Sequence, residues 1–296
     1  MLHSKTGTLQ PQTPFDFEQS LAFLGAFPPM HGEQQIADRS LTTAVSIDRQ
    51  PVVFRVHASG TTDTPEIAYT LYAHQPISPT LAGQAADRIA FFLSLDDDLR
   101  PLYALGEHDP SFAPVIQQNY GLHQVKFLTP FENACWALLS VRVPMALSLK
   151  VKQRLSEEIG AALDLEGKTY HAFPEPAQLL ESADQLAGIV NNPRKTDYLQ
   201  AAARAFDSVD EHWLRTAPSD DVEAWLLNIK GIGAWSARFV MIRGLGRMDR
   251  MSVGEQRVID VARERYGRDL SEQQIAEIAA RYGAQQGYWA YYLRAA

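Results

Sequence analysis

Cysteine is nearly missing from this sequence: Cys135 stands alone among 296 residues. One thiol cannot close an internal disulfide, and it cannot by itself hold a zinc ion or an iron–sulfur cluster. Set among apolar residues at helical spacing in FENACWALL, it reads as a buried structural thiol. The eight histidines show no His-x-x-x-His spacing, so no metalloenzyme pattern emerges. No run of 18 apolar residues occurs, and the N-terminus MLHSKTGTLQPQTPFDFE lacks a basic segment followed by an apolar one. The expectation is a cytoplasmic protein without a membrane partner. Internal repeats and low-complexity tracts are absent too.

Excess positive charge is lacking overall, with a net charge of −8, which argues mildly against non-specific nucleic-acid binding. Its distribution is uneven. Between Lys230 and Arg268 nine basic residues face four acidic ones, a local +5 inside an acidic protein. Taken alone, such a segment is equally a solvated helix face with ordinary ion pairs.

What is present is enough apolar material, 46 % of residues, to bury a sizeable core or two. SLTTAVSI, PVVFRVHA and EIAYTLYA, between about residues 40 and 75, are β-branched and aromatic and are separated by turn clusters. They predict three strands of an antiparallel sheet. From PTLAGQAADRIAFFLSL onward the period becomes helical, with Leu81, Ala85, Ile89, Phe92 and Leu93 on one side, and almost nothing later reads as a strand. Further helices are expected at PFENACWALLSVRV, MALSLKVKQRLSEEIG, PRKTDYLQAAARAF, SDDVEAWLLNI, AWSARFVMIRGLG, EQRVIDVARERYG, SEQQIAEIAARYG and YWAYYLRA. The first dozen residues, polar and proline-containing, are expected to be disordered. The fold class is therefore α+β, mainly α, with an antiparallel-sheet domain over 1–115 and a helical region over 116–296.

Within NIKGIGAWSA an apolar helix stops near Ile229, two glycines permit a tight turn, and a second helix starts near Ala234. Gly231 and Gly233 thereby present backbone N–H groups at a helix N-terminus, which favours an anion such as a phosphate. Preceding carbonyls turned outward can coordinate a monovalent cation. The turn alone is equally compatible with an ordinary αα-hairpin.

The pattern extends further, as L-x-x-I-K-G-I-G-x-W-S-A followed by Arg-Gly and by a helix after RMDRMSVGEQRVI. With TPFENACWALLSVRVPMALSLKVKQRL, HAFPEPAQLL and YWAYYLR, it resembles the helix–hairpin–helix DNA glycosylases, and among them the 3-methyladenine DNA glycosylase II family. The resemblance covers nearly the whole chain and is most specific in the hairpin. It implies a double-stranded DNA partner carrying a damaged base, a monomer, and no cofactor beyond a potassium or sodium ion.

Carried over residue by residue, the resemblance implies an ion on the carbonyls of Leu227, Ile229 and Ile232. DNA contacts fall to Gly231, Gly233, Ala234 and Arg142. Arg142 takes the position from which the family fills the gap left by a flipped nucleotide, and it can equally bind phosphate or pair with an acid. Members that also cleave the strand carry a lysine two residues after the hairpin. Here that position is Trp235, and indole offers no nucleophile. Trp235 and Phe239, four apart on one helix face, can line a pocket for the extruded base, where a cationic alkylated purine gains a cation–π term. Both can instead simply fill the core.

The family's catalytic aspartate aligns with Glu255 here. A carboxylate at that position would stabilise an oxocarbenium-like sugar and orient water, and a helix N-terminus keeps it ionised. The competing reading is a capping box in SVGE, with Ser252 as N-cap and Glu255 reaching back from the third helical position. The function implied is a monofunctional DNA glycosylase acting on alkylated bases by base flipping. The alternative is a catalytically weak or inactive helix–hairpin–helix protein that recognises damaged or bent DNA.

Overall fold

The computed structural model describes residues 2–251 and 254–296. A five-stranded antiparallel sheet runs β1 (His3–Leu9), β2 (Gln34–Ala37), β3 (Ser40–Ile47), β4 (Gln50–Ala58) and β5 (Ile67–Ala73), in the spatial order β1-β5-β4-β3-β2. The three expected strands lie at its centre. The N-terminal segment is not disordered. His3–Leu9 pairs along its length with β5, from His3 opposite Ala73 to Leu9 opposite Ile67, so ladder hydrogen bonds order a segment too polar to order itself.

Two-residue turns fix the register. Ala37 opposes Ser40 and Ile47 opposes Gln50, and the bridging pairs Asp38-Arg39 and Asp48-Arg49 all have positive φ. Such turns match the right-handed twist of the flanking strands, and aspartate tolerates the left-handed region better than most residues. A second hairpin, β6 (Ala162–Leu165) and β7 (Lys168–His171), turns through Glu166 and Gly167. It corrects the expectation of an all-helical second half. Its Leu163, Leu165 and Tyr170 cover Ala44 and Val53 on the outer face of the sheet, which is why β3 is buried on both sides. Segments of four residues carry too little periodicity to be read as strands.

Fifteen α-helices complete the described residues. They are α1 (Phe17–Ala26), α2 (Pro79–Leu93), α3 (Arg100–Gly106), α4 (Ala113–Gln118), α5 (Pro130–Ser140), α6 (Met145–Glu158), α7 (Pro176–Glu181) and α8 (Ala183–Val190). Then come α9 (Pro193–Ser208), α10 (Glu211–Thr216), α11 (Ser219–Leu227), α12 (Ala234–Phe239), α13 (Gln256–Tyr266), α14 (Glu272–Ala280) and α15 (Gln286–Ala295). None is long and apolar enough to cross a membrane. Proline at the first or second position and a Ser, Thr or Asn N-cap start α2, α5 and α9 where the sequence places them.

Three cores result. One joins the sheet to α1 and α2 through Phe54, Leu71, Ile89 and Phe92. The second lies among α5, α8, α9 and α11 and contains Cys135, which is fully buried. The third packs α3 and α4 from the first half of the chain against α13, α14 and α15, with Phe112, Trp289 and Tyr292 at its centre.

Candidate active site and nucleic-acid interface

The hairpin forms because α11 ends at Leu227 and Gly231 takes a φ of +95°. A β-carbon at Gly231 would lie 2.4 Å from the Tyr198 ring, so both backbone conformation and packing demand glycine. Gly233 is different: its φ of −98° is ordinary, and nothing stands within 4 Å of where its β-carbon would be. Gly231, Gly233, Ala234 and Trp235 are all exposed, while Ile229 and Ile232 anchor the turn in the second core. The Ile229 carbonyl accepts the Ile232 N–H at 3.0 Å and keeps its second lone pair. Leu227 is half exposed on the same edge.

Beyond the turn the expected long helix is only six residues of α12, followed by a π-helical turn over Val240–Gly244. Trp235 and Phe239 sit on one face of α12. Their rings stack with centroids 5.2 Å apart and planes 10° from parallel. Trp235 is 52 % exposed, which excludes a core-filling role for it. Phe239 is half-buried against the first and second cores.

Both rings line a cavity of about 400 Å³ where the three cores meet. Its other walls include Phe27, Trp136, Met145, Ile242, Tyr291, Glu255 and Arg294. No lysine lines it among the described residues. The structure thus brings Trp235, Phe239 and Glu255, read as separate candidates in the sequence, to one space. A volume of this size suits a purine-sized ligand.

Glu255 occupies the N-cap position of α13, not the third helical position, and its side chain makes no capping hydrogen bond. Ser252, the expected N-cap, lies outside the described residues. The Glu255 carboxylate instead forms an ion pair with Arg294 from the last turn of α15.

Arg142 is exposed, with a φ of +55° in the connection from α5 to α6, and does not line the cavity. Val141, Met145 and Leu147 around it are also exposed, so an apolar rim surrounds the cation. This connection is held by Lys195, whose Nζ donates to the carbonyls of Leu138, Leu139 and Val141 at 2.7, 2.6 and 3.2 Å. Partial burial lowers the Lys195 ammonium below its ordinary range. Sequence reading missed Lys195, because a lysine in the first turn of α9 carries no signal that a distant helix end needs a donor.

The local +5 is partly offset from outside the segment. Lys230 pairs with Asp197 at 2.6 Å, Arg238 with Glu223 at 2.8 Å, and Arg250 with Asp220 and Glu223. Arg243 is buried. Linear counting saw the cations and not the acids that α9 and α11 fold against them.

Two polar groups in the cavity wall were also invisible in the sequence. Gln124 belongs to Leu122–Leu128, a fully buried segment without helix or strand. Its backbone is satisfied: the Gln124 N–H donates to the Tyr288 hydroxyl at 3.3 Å, and its carbonyl accepts from Ser94 Oγ at 2.5 Å. Arg243 lies 4.7 Å and 4.8 Å from the ring centres of Phe23 and Phe27, and 5.5 Å from that of Tyr291. Burial lowers its guanidinium below the ordinary arginine range. It stays charged all the same.

No family model matches the chain. It is 25 % identical over 224 residues, 74 % of each chain, to the DNA-3-methyladenine glycosylase of Bacillus subtilis (strain 168). In fold it is similar to the 3-methyladenine DNA glycosylase of Archaeoglobus fulgidus, with a TM-score of 0.79, 16 % identity and 97 % of each chain covered. It is also similar to the 8-oxoguanine glycosylase/lyase of Clostridium acetobutylicum bound to double-stranded DNA, with a TM-score of 0.70 and 15 % identity over 100 % of this chain and 96 % of that one. The chain therefore has the fold of these DNA glycosylases, and its sequence is similar to that of a DNA-3-methyladenine glycosylase.

Proposed function

We propose that the protein is a monofunctional DNA glycosylase that hydrolyses the N-glycosidic bond of damaged bases, alkylated ones among them, in duplex DNA and leaves an abasic site. The observation that carries this reading is the stacked Trp235–Phe239 platform sharing one cavity with the Glu255 carboxylate beside an exposed glycine hairpin. An extruded base stacks on the platform, since every base has a π face. As the glycosidic bond lengthens, positive charge grows on the sugar, and Glu255 stabilises it and orients the attacking water.

The hairpin serves as the docking point. The N–H groups of Gly231, Gly233 and Ala234 face a phosphate, and a potassium or sodium ion on the Leu227, Ile229 and Ile232 carbonyls would add positive potential there. The spare lone pair of Ile229 fits such an ion. Arg142, at the tip of its apolar rim, fills the gap in the stack. Trp235 supplies no amine, so no Schiff base forms at this position.

One observation favours the second reading, a weak or inactive damage-recognition protein. Arg294 pairs with Glu255 and weakens the field that the carboxylate can direct at the sugar. A single assay separates the two. Duplexes carrying one damaged base are incubated with the protein, and free base and strand breaks are measured with and without alkali and borohydride. Free base with alkali-dependent breaks and no trapped adduct is the expected result. A borohydride-trapped adduct overturns the monofunctional assignment, and lesion-dependent binding without base release supports the recognition protein.

A further inference from the structure

We propose that a second cavity, between the β3–β4 turn, the start of α5 and the end of α9, is a docking site for a partner protein that inserts an arginine beside an apolar side chain. The site is separate from the cavity of Trp235 and Glu255, and the inference does not rest on the glycosylase reading.

This cavity measures about 310 Å³, at the lower end of the sizes that hold a ligand. Three phenylalanines form its apolar part. Phe131 stands between Phe173 and Phe206, with ring centres 6.1 and 5.7 Å away. The charged groups that line it are the carboxylates of Asp48, Asp87, Glu175 and Glu211 and the guanidinium of Arg88. Two of the carboxylates are neutralised, because Arg88 pairs with Glu211 and Arg215 pairs with both Asp87 and Glu211. Asp48 and Glu175 have no cationic partner among the described residues, and Arg49, next to Asp48 in sequence, pairs instead with Glu181. The two are nonetheless held together. Glu175 Oε1 accepts the Ser46 hydroxyl at 2.6 Å and the Arg49 N–H at 2.8 Å, which ties its carboxylate to the turn that carries Asp48. Two like charges fixed beside an aromatic wall repel each other, and a cation brought between them removes that cost.

The chemistry of the walls defines the occupant. A guanidinium pairs with carboxylates through its planar fork and stacks its face on phenyl rings, and an apolar neighbour covers the remaining aromatic surface. A phosphate is repelled by the same two charges, so nucleic acid is not the occupant. The position in the fold agrees. Lys195, in the first turn of α9, reaches the carbonyls of Leu138 and Leu139 at the end of α5, whereas Phe206, near the end of α9, meets Phe131 at the start of α5. The cavity and the connection carrying Arg142 therefore stand at opposite ends of one helix pair, roughly 15 Å apart along α5. Tyr198, which packs against Gly231, lies at the Lys195 end of α9. A partner seated in the cavity leaves both the hairpin and Arg142 free.

The test uses the full chain labelled with nitrogen-15 and the peptide acetyl-Gly-Arg-Leu-Arg-Gly-amide, with acetyl-Gly-Glu-Leu-Glu-Gly-amide as control. The arginine peptide is expected to bind with a Kd below about 1 mM and to shift amide signals over 46–48, 129–131, 173–176 and 206–211. The glutamate peptide should shift none of them. Asp48→Asn and Glu175→Gln should each weaken binding about fivefold, the typical effect of one partly exposed ion pair. Glu107→Gln, at an exposed acid beyond α3, should leave it unchanged. Asp48 is exposed, so its variant keeps the fold and decides the matter if Glu175→Gln unfolds. Equal losses in all three variants, shifts centred on 228–234, or no binding by the parent overturn the proposal. Free arginine amide binding as tightly as the peptide would make the cavity a small-cation site, and the same shifts on concentrating the protein alone would seat a second copy there. Either result overturns the partner segment.

Discussion

Glu255 and Arg294 are joined by an ion pair in the wall of the aromatic cavity, linking the N-cap position of α13 to the last turn of α15. Both side chains are partly exposed, so the pair contributes at most about 1 kcal/mol to stability. The carboxylate's proposed role in chemistry is worth far more. Glu255→Gln should cut base release by roughly 100-fold, about 2.7 kcal/mol in the barrier. Its melting temperature should stay within about 3 °C of the parent. Activity within a few-fold of the parent would leave Glu255 as a structural residue.

The two hairpin glycines should respond in opposite ways. Gly233→Asp meets open space at an ordinary φ, so the fold should be kept while a negative charge stands where a phosphate docks. DNA affinity should fall about tenfold at moderate salt, or about 1.4 kcal/mol. Gly231→Ala drives a methyl into Tyr198 at a positive φ and should cost about 1–3 kcal/mol in urea unfolding. Equal and small effects at both positions would contradict a docking turn built on this geometry.

Lys195 caps the C-terminal end of α5 and thereby holds the connection that carries Arg142. Lys195→Met keeps the aliphatic stem and removes the donors. Stability should fall by about 1–2 kcal/mol. Amide hydrogen exchange should rise over residues 141–144, and affinity for an abasic-site duplex should drop more than affinity for intact duplex. Unchanged exchange there would show that the connection is held by something else.

His123 offers a pH test. Its imidazole is fully buried, with Nδ1 2.6 Å from the Ser94 carbonyl and Nε2 2.9 Å from that of Pro14. Burial outweighs these two carbonyls and holds its pKa below the ordinary 6.5. A depressed folded-state value means that its contribution is present above pH 6.5 and is lost as pH falls through that lower value. The stability difference between the parent and His123→Gln should therefore narrow as pH drops from 7 towards 5. A difference that is flat over this range would contradict the assignment.

Much of the fold was legible because it rests on local physics. Period-2 and period-3.6 patterns gave the central strands and eight of the later helices, and proline and capping residues marked several helix starts. The hairpin was equally legible, since a glycine that must take positive φ against a packed ring leaves its mark at one position. Trp235 and Phe239 shared a face because four residues make about one helical turn. What failed were segments ordered by partners: β1 by β5, and the β6–β7 hairpin by the sheet it covers.

The sequence by itself determined the fold class, the hairpin, the paired aromatic residues and a carboxylate at the head of α13. These follow from spacing along the chain. Tertiary structure alone decided that Glu255 meets Arg294, that three cations of the basic segment are paired with acids of α9 and α11, and that Gln124 and Arg243 line one cavity. Each of these joins residues from elements distant in sequence. Whether a buried polar group finds a partner depends on packing in three dimensions, and no local pattern encodes it.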